Sequence, residues 1–275
     1  MPKLSSLTQR LLVVIVLVPA GVAAVRAGGW VLTAVVTALL TVAAFEYWRI
    51  FRHGNFAPSL GVLVIGTGAM VICRQVFGFE ADAPLLAAVV LAALGVQVFA
   101  YERGSASAAL DFNITVGGVL YLGFLGSYLV ALRNLPDGLW WFMTVMPAIW
   151  LADGGAYFIG RRFGRRPLAP RVSPHKTWEG YLGGIVTGTL GTVLLSLLWR
   201  LNAPGITWEK ALLLGFVLSA IGPLGDLAES MIKREFGVKD SGTLLPGHGG
   251  MMDRVDSWLW TAAIGFYLIR WLWIP

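Results

Sequence analysis

The feature that most constrains this chain is the recurrence of apolar runs near the roughly 20 residues a helix needs to cross a bilayer. They fall at Leu11–Val25, Trp30–Trp48, Leu60–Val76, Pro84–Tyr101, Ile114–Leu132, Leu139–Ile159, Gly180–Leu201, Trp208–Leu227 and Val255–Ile274. A soluble fold would need polar surface to cover so much apolar chain, yet hydrophobic residues are 57% and charged residues only 13% of the sequence. An average soluble domain carries about 25% charged residues. The expectation is an all-α polytopic integral membrane protein of about nine transmembrane helices. Because a second span follows after only Arg26 to Gly29, the first run reads as half of a helical hairpin rather than a secretory signal peptide.

Tryptophans 30, 48, 140, 141, 199, 208, 271 and 273 gather at span ends, where an amphipathic ring sits best. Pro19, Pro147 and Pro223 fall within spans and predict kinks. Placing alternate loops on one side puts 15 of the 21 Lys and Arg there, including Arg161–Lys176 and Lys233–Arg254. The positive-inside rule then sets the N-terminus and both charged stretches in the cytoplasm of a bacterial-type inner membrane. The net charge of +6 lies in these loops, so lipid headgroups and phosphates are the expected partners, not nucleic acid. Cys73 stands alone, which excludes an intrachain disulfide and a Cys-rich metal site.

Acids within the spans concentrate late in the chain, at Asp153, Asp226, Glu229 and Asp256. The predicted division is therefore a packing half over residues 1–135 and a catalytic half over 136–275, with the active site at the cytoplasmic ends of the C-terminal helices. Asp226, Glu229, Ser230 and Lys233 are spaced to share one helix face, and Asp253, Asp256 and Ser257 repeat the pattern. Carboxylates from two helices suit Mg²⁺, which takes a few of them together with substrate phosphates. The plainer alternatives are an Asp226–Lys233 pair and acids that merely favour a helix N-terminus. Between the two helices lies Pro246-Gly247-His248-Gly249-Gly250, whose backbone N–H groups suit a phosphate. Lys233, Arg234, Lys239 and Arg254 are candidates to neutralise a polyphosphate. Upstream, Asp153 sits one turn before Tyr157, a candidate hydrogen-bond partner, and Arg161, Arg162, Arg165 and Arg166 are either ligands or topology determinants. Ser173 to Gly180 reads as a turn into a helix that presents Lys176 at the membrane surface.

The stretch Ser230–Ser257 closely resembles the signature of phosphatidate cytidylyltransferases (CDP-diacylglycerol synthases). Ser230, Lys233, Arg234, Lys239, Asp240, Pro246, Gly247, His248, Gly249, Gly250, Asp253, Arg254 and Asp256 all match it, and Asp153, Ala156, Tyr157 and the Ser173–Gly180 run look like further family motifs. The resemblance implies that CTP and phosphatidic acid give CDP-diacylglycerol and pyrophosphate. It implies Asp226 and Asp253 as metal residues for Mg²⁺, with a second, monovalent cation such as K⁺ admitted. Lys233, Lys239, Asp240, His248, Arg254 and Asp256 are then candidate catalytic residues. Asp153, Arg161, Arg162, Ser173, Lys176, Ser230, Arg234, Gly247, Gly249 and Gly250 are candidate substrate-binding residues. A homodimer formed through the N-terminal spans also rests on the resemblance. The rival readings are another CTP-using lipid enzyme, such as a polyprenol or dolichol kinase-like protein or an archaeal-type CDP-lipid synthase, and an ion transporter with acids along a midplane pathway.

Overall fold

The structure, a computed structural model, describes residues 6–242 and 249–274. The helices, in order, are α1 (Ser6–Ala27), α2 (Gly29–His53), α3 (Leu60–Phe77), α4 (Asp82–Glu102), α5 (Ala108–Gly118), α6 (Leu125–Arg133) and α7 (Gly138–Phe163). A hairpin of β1 (Pro167–Ala169) and β2 (Ser173–Thr177) follows, then α8 (Trp178–Leu198), α9 (Trp208–Ile221), α10 (Pro223–Glu235) and α11 (Met252–Leu272). Among the described residues, seven segments are long and apolar enough to cross a membrane. They are α2, α3, α4, the run through α5 and α6, α7, α8, and the run through α9 and α10. The first and last expected spans are helical as α1 and α11, but neither is among those seven.

Three local departures from plain α-helix matter. A single π-helical turn, Val119–Phe124, joins α5 to α6. At its end the α-carbon side of Gly123 lies against the backbone of Thr67 and the side chain of Met70, so the wide turn packs directly on α3. The break between α9 and α10 falls at Pro223, whose ring cannot continue a helix from the preceding turn. Pro19 and Pro147 instead lie inside α1 and α7. The antiparallel β1–β2 hairpin, with Pro167 opposite Thr177 and Ala169 opposite Ser173, is a small exception to the all-α expectation.

The chain forms two compact units, Met1–Ala131 with Glu235–Val255, and Leu132–Arg234 with Asp256–Pro275. In the first, α2 packs on α3, α3 on the π turn, and α4 on α5. Arg74, at the end of α3, is only 3% exposed and serves as a polar hub. Its Nε donates to Ser127 Oγ (3.1 Å), one terminal nitrogen to the Gly78 carbonyl (3.1 Å) and the other to Asp82 (2.9 Å). The guanidinium also lies 3.6 Å from the Phe79 ring centre. Removing Arg74 leaves Ser127, Gly78 and Asp82 without their donor, and because the Asp82 side chain is 22% exposed the cost falls short of the roughly 3–5 kcal/mol of a fully buried pair. Arg74→Met is therefore expected to lower the thermal midpoint of the detergent-solubilised protein sharply, and Arg74→Lys less; equal midpoints for all three would contradict the hub assignment.

In the second unit α7, α8 and α9 pack pairwise. One stripe of α8, Gly180, Gly184 and Gly188, faces Ala152, Ala156 and Gly160 of α7. A methyl built on Gly184 would stand 2.8 Å from the Ala152 carbonyl oxygen. Such small-residue seams let helices approach where lipid removes the hydrophobic drive between them. Another stripe of the same helix, Leu182, Val186, Leu190 and Leu194, is exposed. A helix that buries glycine and exposes leucine is built for a lipid surround.

Candidate active site

The acidic residues of α10 and α11 and the cleft beside them lie within the second unit. Asp226 projects from the first turn of α10 and Asp256 from the first turns of α11. The helices can approach there because residue 225 is glycine: a methyl on it would stand 2.8 Å from the Asp256 carbonyl oxygen and 3.0 Å from Ser257 Cα. As a result Asp226, Glu229 and Asp256 bring carboxylate oxygens within 4.8 Å of one another. Glu229, 1% exposed, belongs to the trio but not to the predicted site residues; its signal was the i, i+3 spacing from Asp226.

Two lysines partly balance the three acids. Lys233 Nζ donates to Glu229 Oε2 at 2.8 Å, one turn away on α10. Lys176, at the end of β2, is hydrogen-bonded and ion-paired to Asp226 Oδ2, while Ser230 Oγ donates to Asp226 Oδ1 at 3.2 Å. The Asp226–Lys233 pair considered from sequence is thus replaced by two others. Asp256 Oδ1 accepts from the Ser257 amide at 2.6 Å. Three carboxylates held this close are a donor set that fits Mg²⁺ or a similar hard cation.

Beside this cluster opens a cleft of about 620 Å³, lined among others by Asp153, Tyr157, Arg161, His175, Lys176 and Asp226. That size is typical of a small-ligand site. Arg161 donates to the Tyr157 hydroxyl at 3.1 Å, which gives Tyr157 a partner other than Asp153. The hairpin that delivers His175 and Lys176 is braced by Glu179, whose Oε2 accepts from the amides of Arg165 (3.0 Å) and Arg166 (3.2 Å). Thr177 caps α8 by accepting from the Gly180 amide. Of the predicted substrate residues, Arg162 is exposed, and Ser173 is half-buried in β2 opposite Ala169. His175 was not predicted; a lone histidine beside a proline carries no spacing signal.

Gly249 and Gly250, the described end of the glycine turn, belong to the first unit. Asp253 Oδ2 accepts from the Ser241 amide (3.0 Å), the Ser241 hydroxyl (3.0 Å) and the Gly250 amide (2.8 Å). Gly249 adopts φ 80° with its α-carbon side 2.7 Å from that carboxylate, which no side chain would tolerate. Arg234, on the second unit's part of α10, and Lys239, Asp240 and Arg254 of the first unit are exposed. The expected contributions of Gly247 and His248 lie outside the described residues.

Known proteins supply an independent comparison. The description "Cytidylyltransferase family" matches residues 8–272. A phosphatidate cytidylyltransferase from Synechocystis is 32% identical over 95% of this chain and 96% of its own length. A chloroplastic phosphatidate cytidylyltransferase of Arabidopsis thaliana is 33% identical over 90% of this chain and 67% of its own. The relative of that name from Bacillus subtilis is 42% identical over about half of each chain, 54% and 55%. With similarity running through nearly every helix and not only through the Ser230–Ser257 signature, the chain belongs to the cytidylyltransferase family.

Proposed function

We propose that this integral membrane protein is a phosphatidate cytidylyltransferase: it transfers CMP from CTP to phosphatidic acid, releasing pyrophosphate and leaving CDP-diacylglycerol. The observation that carries the chemistry is the Asp226–Glu229–Asp256 cluster beside a cleft with Lys176 and Arg161 on its wall. In this reading the protein crosses a bacterial-type inner membrane nine times. Its N-terminus and active site are cytoplasmic, with the site at the cytoplasmic ends of the C-terminal helices, and it pairs as a homodimer through its N-terminal helices.

An oxygen of the phosphatidate phosphate attacks the α-phosphorus of CTP, and the bond from that phosphorus to the bridging oxygen of the β-phosphate breaks. The attacking phosphate is already anionic, so the reaction needs positioning and charge neutralisation rather than a protein nucleophile. Lys176, Arg161 and Arg162 hold the lipid phosphate, and Asp153, Ser173, Ser230 and Arg234 complete the substrate contacts. The glycine turn with Gly247, His248, Gly249 and Gly250, together with Lys239 and Arg254, takes the triphosphate. Lys233, paired with Glu229, and Asp240 are further candidate catalytic residues. Asp226, with Glu229 and Asp256 beside it, would supply carboxylates for Mg²⁺ within the second unit; Asp253, in the first unit, is the further metal residue that the family resemblance implies, with a second cation such as K⁺ admitted. When bound, these ions would neutralise the α-phosphate and the leaving pyrophosphate.

The test is detergent-solubilised protein given CTP, Mg²⁺ and phosphatidic acid. Pyrophosphate should appear in step with CDP-lipid and stop when EDTA is added. CDP as the soluble product would favour a lipid kinase, and ion flux in proteoliposomes without CTP turnover would favour a transporter.

A further inference from the structure

The wall of the cleft carries a tyrosine that the chemistry above leaves unused. Tyr181 stands in the first turn of α8, half-buried, and lines the cleft together with Lys176, Pro223 and Asp226. Its ring meets Trp178 edge to face, with centres 5.8 Å apart. Its hydroxyl donates to the Ala220 carbonyl of α9 at 2.7 Å, 39 residues along the chain. All of these residues belong to the second unit.

Ala220 lies where one long apolar run, Trp208–Glu235, divides into α9 and α10. Pro223 has no N–H to give the Ser219 carbonyl, and its ring crowds that oxygen, so the run cannot pass through as regular helix. Carbonyls in the last turn before such a stop take donors from elsewhere. The Leu218 carbonyl takes the Gly222 amide at 2.7 Å, and the Gly222 carbonyl takes the Gly225 amide at 2.9 Å. For the Ala220 carbonyl the donor comes from another helix, as the Tyr181 phenol.

Asp226 follows directly on this break, in the first turn of α10. On the other side of the bond, Lys176 precedes Tyr181 by five residues. That approach is itself fixed: Thr177 accepts from the Gly180 amide, and Glu179 from the amides of Arg165 and Arg166. One phenol therefore links the turn that delivers Lys176 to the turn that delivers Asp226, and those two side chains are ion-paired.

We infer that Tyr181 is a positioning residue for the metal carboxylates: its hydroxyl fixes the α9–α10 break and so sets where Asp226 stands relative to Asp256 and Lys176. This rests on the proposal that Asp226 supplies a metal donor and Lys176 holds the lipid phosphate. Without the bond the break can rotate, and a small rotation there carries Asp226 away from its partners.

The experiment compares the wild type with Tyr181→Phe, Tyr181→Leu and Thr189→Val. Thr189 is the control, because its hydroxyl donates to the Ile185 carbonyl of its own helix at 2.6 Å. The readouts are kcat, KM for CTP, thermal midpoint, and binding of Mn²⁺ alone to the purified protein by electron paramagnetic resonance. Losing a group that orients a metal ligand predicts that Tyr181→Phe lowers both Mn²⁺ affinity and kcat roughly tenfold or more. KM for CTP should move by less than about twofold, since ground-state contacts to the nucleotide are untouched. Tyr181→Phe and Thr189→Val should lower the midpoint by similar small amounts, and Thr189→Val should keep its kcat and Mn²⁺ affinity. Tyr181→Leu should repeat the Tyr181→Phe losses with a lower midpoint, because the ring contact goes too. Wild-type Mn²⁺ affinity in folded Tyr181→Phe would overturn the inference, even with a lower midpoint, the mark of a purely structural role. Equal losses in Thr189→Val would overturn it as well. A wild type that binds Mn²⁺ but releases no pyrophosphate from CTP sinks the proposed function, and the Mn²⁺ affinities still decide the role of Tyr181. A wild type that binds no Mn²⁺ sinks the inference alone if it turns over CTP, and both readings if it does not.

Discussion

Replacing Asp226 with alanine is expected to reduce pyrophosphate release from CTP by at least about a thousandfold, the scale of losing preorganised charge stabilisation together with a metal ligand. Asp226 belongs both to the acidic trio and to the wall of the cleft, and it also fixes Lys176 and Ser230. Its removal would therefore disturb the proposed metal donors and the proposed lipid-phosphate cation together. Asp226→Asn separates these roles, since the amide keeps the shape and one acceptor but loses the charge. It should be nearly as inactive as the alanine variant while matching the wild type in thermal midpoint and gel-filtration profile. Near-native turnover in either folded variant would remove Asp226 from the chemistry.

The second large effect is expected at an uncharged position, the seam between α7 and α8. Gly184→Leu should abolish turnover and lower the yield of folded protein, because the new side chain must enter the seam between α7 and α8. Its first carbon alone would meet the Ala152 carbonyl oxygen at 2.8 Å and Ala156 Cβ at 3.0 Å. Overpacking a tight contact costs about 1–3 kcal/mol even when neighbours can shift, and backbone on the facing helix cannot shift alone. Pushing α7 outward would carry Asp153, the next residue after Ala152, with it. Gly184→Ala should give a graded version of the same defect. Leucine at Gly154, where a methyl would meet nothing within 4 Å, should leave the midpoint unchanged. If leucine were tolerated equally at 184 and 154, the seam would not be what holds these helices together.

These two sites differ in how legible they are in the sequence. Asp226, Glu229 and Asp256 could be read directly, because a period of 3.6 residues puts the first two on one face and the apolar runs place both helix ends beside charged stretches. The seam was less visible: Gly180, Gly184 and Gly188 recur every fourth residue, but only the facing Ala152 and Ala156 give that spacing a meaning. The β1–β2 hairpin was read only as a turn into a helix. Strands of three and five residues, each with a proline, are too short to show an alternating pattern. The π turn at Val119–Phe124 left no mark on the apolar run that contains it. Tyr181 was hidden most completely. A single tyrosine near a span end resembles an interfacial ring, and its partner Ala220 is 39 residues away, beyond any local pattern. The Asp153–Tyr157 bond considered from sequence fails as a local guess for a similar reason. Spacing says which side chains can meet, but not that Arg161 will take the tyrosine hydroxyl.

The central claim is that the nucleotide's α-phosphate goes to the lipid. It is tested most directly by supplying the purified protein with phosphatidic acid, Mg²⁺ and CTP labelled with phosphorus-32 at either the α or the γ position. The α-label should move into the organic-soluble lipid while the γ-label stays in water as pyrophosphate. Label from the γ position appearing in lipid, with α-label left behind in soluble CDP, would contradict it.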